Sequence, residues 1–360
     1  VLGWYGKLGI DYSWEAVSSQ TKFTYYQNRG LFMKPTFRFD KKTTNSLVRT
    51  RLSGGWISDQ GTSLGHDLRG YPIGQSRSYI HLRNLARYKD RWRSATLIEW
   101  ERDSDIIRDF QRNYFQRNQW NQSHSELTYE GNGYSASIIS KWQAHEHEAK
   151  VEQLPFISLE FGPLPKWAAY HSGSLNYARL IRRDESGNGA SPIDRMSLGY
   201  KIEKPFRLHQ GIHLTPSLAT VHQVYEFESN SMDRTFGEYG IDLHANLHQF
   251  IPFKNTVWEI EKVLHVAKFS LGVRSAKLLS ESPSFKTPSI YPFVEDLNLG
   301  PLDLLDDSNN ESIVEKDLIR LGWENSFWGK WNDANRKLLS MRAYYDLWSS
   351  YPAGVVGTRF

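Results

Sequence analysis

Between Gly240 and Phe250 the chain alternates strictly. Ile241, Leu243, Ala245 and Leu247 fall on one parity and Asp242, His244, Asn246 and His248 on the other. A period of two places the two sets on opposite faces of a β-strand, whereas a helix would scatter both around its circumference. The pattern recurs. Trp4, Gly6, Leu8, Ile10, Tyr12 and Trp14 alternate with Lys7, Asp11, Ser13 and Glu15, and Leu31, Met33, Pro35, Phe37 and Phe39 with Lys34, Thr36, Arg38 and Asp40. No run of about 18 apolar residues exists to form a membrane-crossing helix. A mean hydropathy of −0.58 still allows a transmembrane barrel, whose strands are apolar on one face only.

Turn signals separate these segments at Asn28-Arg29-Gly30, at 41–45, at Lys89-Asp90-Arg91 and at Gly131-Asn132-Gly133. Longer polar stretches over 59–76, 103–122, 184–191 and 275–312 read as loops, the second with a helical turn at Ile106 to Phe110. Gly54-Gly55 suggests a bulge or bend, and Pro155 a break in the strand from Gln153 to Phe161. A strand over 257–274 is expected beside the Gly240 segment. The expected fold is all-β: a large antiparallel transmembrane β-barrel of roughly sixteen strands, complete or lacking some strands. It would occupy residues 1–360 as one outer-membrane domain with no N-terminal periplasmic domain and no signal peptide in view. The 13 Trp and 19 Tyr suit a pleated surface and the aromatic girdles of a membrane wall.

A net charge of +4, from 44 basic and 40 acidic residues without blocks, gives no nucleic-acid footprint. Cysteine is absent, so there is no disulfide framework or thiolate metal site. Lys7, Lys34, Arg38, Arg320 and Arg342 lie on polar parities, where a barrel would turn them to the lumen to meet anions or to pair with acids across strands. His145 and His147, in His-Glu-His-Glu, share a face, as do His244 and His248; solvated or lumen-lining histidine is the preferred reading of both pairs over metal ligation. Asp303, Asp306 and Asp307 lack the pattern of a calcium loop. No catalytic, cofactor or metal site is expected, and the protein is read as a non-enzyme. By class, the chain is a porin-like outer-membrane channel, another outer-membrane transporter, or a soluble all-β protein that binds or cleaves carbohydrate.

Several short stretches, in order, resemble one family. Asp103-Ser104-Asp105-Ile106-Ile107-Arg108-Asp109-Phe110 is similar to a loop segment in the barrel of LptD, the lipopolysaccharide-assembly outer-membrane protein. Arg29-Gly30, the strand around Pro155, the strand from Leu264 through His265, and Arg320 to Ser326 with Gly322 and Asn325 resemble further stretches of that barrel. The chain departs from the family at Ala267-Lys268, where a proline is expected, and in having no cysteine. The resemblance implies a Gram-negative outer-membrane location and insertion of lipopolysaccharide into the outer leaflet. It also implies a plug lipoprotein of the LptE type and a periplasmic bridge protein as partners.

Overall fold

The computed structural model describes residues 2–68, 70–116, 123–144, 150–183, 188–228, 230–255, 257, 260, 262–283, 315–331, 334–348 and 358–359. The first strands are β1 (Tyr5–Trp14), β2 (Val17–Tyr26), β3 (Gly30–Lys42), β4 (Ser46–Ser58), β5 (Ser76–Tyr88) and β6 (Trp92–Glu101). Two short helices, α1 (Ile106–Phe110) and α2 (Arg112–Phe115), precede β7 (Ser123–Glu130), β8 (Tyr134–Trp142), β9 (Lys150–Lys166) and β10 (Ala169–Arg183). Then come β11 (Ile193–Glu203), the fragment β12 (Phe206–His209), β13 (Ile212–Glu226), β14 (Ser231–Ile251) and β15 (Val263–Glu281). The chain closes with β16 (Lys316–Trp331), β17 (Ala334–Trp348) and the two-residue β18 (Thr358–Arg359).

All described strands belong to one sheet. Each long strand pairs antiparallel with its neighbour in sequence, from β1 with β2 through β16 with β17, and β12 is a short extension beside β13. Sixteen of the strands have eight or more residues, so the expected antiparallel barrel wall is present. Among the described residues no register joins β1 to β17.

Burial follows parity. On β2 and β3, Tyr25, Leu31 and Phe37 are exposed while Thr24, Tyr26, Phe32 and Thr36 are buried. Facing residues across each ladder share a side, which carries the assignment round the wall. Leu127, Ile138, Ile157, Tyr177 and Met196 stand on the outward side in one row across β7, β8, β9, β10 and β11. The outward face ends in aromatics at both rims. Trp4, Tyr25, Trp56 and Trp100 stand at one, and Trp14, Tyr88, Trp92, Tyr129 and Tyr134 at the other. From Trp92 to Trp100 the strand covers about 25 Å, the height of the apolar band of a membrane barrel.

The two ends differ. At the turn end lie the short connections 15–16, 43–45, 89–91, 131–133 and 167–168, with the longer 252–262. At the loop end lie 59–75, 102–122 and 143–149, with the short 27–29 and 227–230. The Trp167-Ala168 hairpin has positive φ at both residues (50° and 59°), the geometry of a type I′ turn, without the Gly or Asn that usually marks one. The sequence pattern therefore ran straight from the turn into β10.

Three local expectations are corrected. Gly54-Gly55 is not a bulge, because register is continuous from Met33↔Trp56 to Thr36↔Ser53. Gly55 instead leaves room for an aromatic ring: a Cβ there would lie 2.2 Å from Tyr79. Pro155 does not end its strand; β9 passes through it at a register shift, where a missing N–H costs little. Strand β15 runs on to Glu281, into the stretch expected as loop.

The outward assignment has a direct consequence. Ile138→Arg, in the apolar band, is expected to destabilise the barrel refolded in lipid vesicles by about 2–4 kcal/mol in urea titration. Ser137→Arg, one residue away on the inner face, is expected to cost far less. Equal costs would overturn the assignment of faces.

Candidate functional site: the inner wall and the folded-in segment

Apolar residues draw the β6–β7 connection into the mouth of the wall at the loop end. Ile106, Ile107 and Phe110 of α1 are buried and pack with Tyr26, Phe32, Ile57 and Tyr79, inward residues of β2, β3, β4 and β5. Phe110 stacks on Phe32, with ring centroids 5.2 Å apart and planes at 14°. The helical turn expected at Ile106 to Phe110 is thus present, with α2 directly after it.

A buried ionic cluster fixes this segment. Arg29, in the β2–β3 turn, donates from Nε and Nη2 to the two carboxylate oxygens of Asp59, each at 2.5 Å, and reaches Asp109 at 3.2 Å. Arg77, at the start of β5, donates to Asp103 at 3.0 and 2.6 Å, to Asp59 at 3.1 Å and to Asp109 at 2.8 Å. The Arg77 and Asp59 side chains have no solvent exposure. Both guanidinium groups also lie over the Phe110 ring, 5.3 and 5.4 Å from its centroid. The backbone N–H of Asp105 donates to Asp103 Oδ1 at 3.1 Å, which shapes the approach to α1.

The carboxylates titrate in opposite senses. Burial pushes Asp59 up, but hydrogen bonds from Arg29, the Gly61 N–H and Arg77 outweigh it and hold the group below the usual carboxylate range. Burial raises Asp105; Arg108 opposes, and Asp109 and Asp103 add to the rise.

Sequence reasoning had marked Arg29, Gly30, Asp103, Asp105, Asp109 and Phe110, and the structure brings them to this one place. Gly30 has φ +93° and closes the turn that carries Arg29. Asp59 and Arg77, which complete the cluster, were missed. Their one signal is position, since each flanks the long 59–75 loop where a strand ends or begins. Pro155, His265, Gly322 and Asn325 lie elsewhere. His265 Nε2 is 3.0 Å from Asn325 Oδ1 on the adjacent strand, and Gly322 leaves space beside Ser270 and the Tyr344 ring.

Lys7, Lys34, Arg38, Arg320 and Arg342 all take inward register positions. Arg320 pairs with Asp346 (Nε to Oδ1, 2.6 Å) and Arg342 with Glu324 (3.3 Å), so these two are cross-strand ion pairs. Lys34 donates to Gln111, and Lys7 lies 4.7 Å over Tyr5. Arg38 faces Arg51. His244 and His248 line the inner face of β14, and among the described residues no group of three or more His, Asp or Glu could hold a metal. His145, His147, Asp303, Asp306 and Asp307 fall outside the described residues. Residues 61–65, Gly-Thr-Ser-Leu-Gly, have the spacing of a hydrolase nucleophile elbow. They sit in the β4–β5 loop, however, without the strand–turn–helix setting that such an elbow needs.

No family model matches the chain. No curated protein matches it either. Among solved structures, a loop L8 deletion mutant of OmpT, an outer membrane protein of Vibrio cholerae, has a TM-score of 0.32 at 7% identity, with 96% of this chain and 91% of that one covered. OpdL of Pseudomonas aeruginosa has a TM-score of 0.34 at 10% identity, with the same coverage.

The expected relation to LptD is corrected here: the solved structures similar to the chain include OmpT and OpdL, and no sequence comparison returns that family. The matched stretches have local explanations. A turn glycine, a proline at a register shift and a glycine under an aromatic ring are devices of any twisted antiparallel wall. Lipopolysaccharide, the plug lipoprotein and the bridge protein, which only the resemblance implied, have no support in the comparisons.

Arg77→Met leaves Asp103 without its bidentate buried partner and Asp59 and Asp109 with Arg29 as their only arginine donor, and is expected to release the 103–116 segment, at a cost of about 3 kcal/mol or more. Hydrogen exchange of that segment, read against unchanged exchange in β10 and β11, checks this. Acid acts through the two carboxylates in turn. Asp59 stabilises docking above the unfolded carboxylate pKa of about 3.9, and that contribution is lost as pH falls through its lowered value. Asp105 binds its proton more tightly when folded, so docking strengthens as pH drops from neutral towards its raised value. Protection is therefore expected to rise slightly below pH 7 and collapse only below the usual carboxylate range. Asp105→Asn is expected to flatten the rise and keep the collapse.

Proposed function

We propose that this chain is a porin-like outer-membrane channel of a Gram-negative bacterium. Small polar solutes would pass through its lumen, and the α1–α2 segment would narrow the mouth. One observation carries the reading. The inner face of the wall carries polar and charged residues, with an apolar patch of Tyr26, Phe32, Ile57 and Tyr79 under the folded-in segment, while the outer face is an apolar band with aromatic rims. Such a wall separates water inside from lipid outside. Mostly short turns at one end and the longest connections at the other match periplasmic and extracellular sides respectively. A segment folded into the mouth and held by buried charges supplies a fixed constriction, which a filter needs and a transporter with a moving gate does not. The work is passage of solutes, with no chemical step.

The test is single-channel recording in planar bilayers. The full chain is expected to open steady ohmic pores, and Arg77→Met, by releasing the constriction, is expected to give larger or noisier conductance steps. A folded barrel that shows no conductance in either form would refute the channel reading.

A further inference from the structure

Several inward cations of this wall face or reach acids. Lys268 stands opposite Glu324, which stands opposite Arg342; Arg320 is opposite Asp346; and Arg274 reaches Asp242 at 2.8 Å and Glu238 at 3.4 Å. The wall of β2 to β5 departs from this pattern. Lys22 faces Lys34 across β2 and β3. Arg38 faces Arg51, and Arg51 faces Arg83, so that three arginines stand in one row across β3, β4 and β5. Like charges directly opposite each other in a sheet are destabilising, so this arrangement lowers stability unless something on the lumen side offsets it.

The protein itself offsets little of it. Arg83 lies 3.6 Å from Glu99 and donates to the Tyr114 hydroxyl at 2.9 Å. Neither Arg38 nor Arg51 has a carboxylate within ion-pair distance among the described residues. The nearby Asp40 pairs with Arg49 at 3.2 Å, and Glu101 lies beside His81 at 3.5 Å. The folded-in segment then roofs the wall. Lys34, Arg51 and Arg83 line one side of a cavity of about 390 Å³, and Gln111, Asn113 and Tyr114 close the other with amide and hydroxyl groups. Below it, Arg38, Arg51 and Arg83 also border a second cavity of about 470 Å³ towards the turn end. Cations thus run from one cavity into the next.

We propose that this wall is an anion-binding face, and that the roofed cavity takes a small dianionic solute, a dicarboxylate or inorganic phosphate. Two forks and an ammonium converge there, the arrangement that recognises such groups through charge-assisted hydrogen bonds. Its contribution to selective passage rests on the channel reading above; the binding itself does not.

The binding test is calorimetry on the full chain in detergent, with inorganic phosphate and succinate as probes and folding verified by the heat-dependent gel shift of a barrel. Saturable binding is expected for at least one probe, and its relative strength identifies the source. Arg51→Gln is expected to weaken it about tenfold or more, and Arg51→Lys to restore part of it. No binding by the folded wild-type chain, or equal affinity in the glutamine variant, would overturn the proposal. The passage test is reversal potential under a KCl gradient. Anion preference that shifts towards cations in Arg51→Glu supports the face as a selectivity element. A conducting pore whose selectivity ignores that change overturns the selectivity role and leaves the channel standing. Phosphate or succinate binding by a chain that never conducts supports the site and refutes the channel instead.

Discussion

At the depth of the hydrocarbon core, every backbone N–H and C=O must find a partner within the protein, because lipid offers none. That requirement explains the form of this chain. Every long strand from β2 to β16 pairs with the long strands before and after it in sequence, so its backbone is satisfied within a meander. Once the ladders are fixed, side chains can only alternate between lipid and lumen. The outer set must then be apolar in the middle and amphipathic at the rims, where indole and phenol groups reach water. The inner set is free to be polar. The alternation at Gly240 to Phe250 expresses a bilayer on one side and water on the other.

A polar lumen creates a second problem that the loop-end cluster solves. A connection folded into a wet mouth gains little from hydrophobic burial alone, since water competes for every polar group. Here α1 contributes a small apolar plug, and Arg29, Arg77, Asp59, Asp103 and Asp109 form a ring of charge-assisted hydrogen bonds around Phe110. Buried charges are costly unless all are partnered, so such a cluster adds specificity more than raw stability. It permits one docked position of the segment, because any shift would strand a carboxylate out of reach. The apolar contacts and the ionic ring thus act together, one supplying energy and the other geometry.

What could be read in advance follows from the same constraint. Strands were legible wherever one face meets lipid, as at Gly240 to Phe250 and Leu31 to Phe39. They were illegible above the apolar band. Residues 231–239 of β14 carry Arg234 and Phe236 inward and Asp233 and Thr235 outward; the buried inner face there mixes charge with an aromatic ring and the outer face turns polar, so apolar-polar alternation loses its cause. The upper part of β15, to Glu281, vanished into an expected loop for the same reason. Asp59 and Arg77 carry no local pattern; only the register of β4 and β5 brings them beside residues 18 to 32 positions away. Apart from the loop stretch Asp103 to Phe110, the family resemblance rests on turn and strand residues that barrel geometry itself selects, so their order along the chain carries less information than it suggests.

The two charged regions of the lumen obey opposite rules. In the loop-end cluster every cation is held by acids and its centre, Arg77 with Asp59, is closed to solvent, so its charges are spent internally on position. On the wall of β2 to β5, cations face cations and border open cavities. Elsewhere on this wall acids are placed opposite bases, so acidic partners were compatible with the sheet at such positions. The β2–β5 arrangement accepts mutual repulsion, which weakens the wall when the lumen holds only water and is relieved whenever an anion is present. A stabilising scaffold would be built the other way round. The cluster that holds the constriction therefore belongs to structure, and the row beneath it belongs to whatever passes.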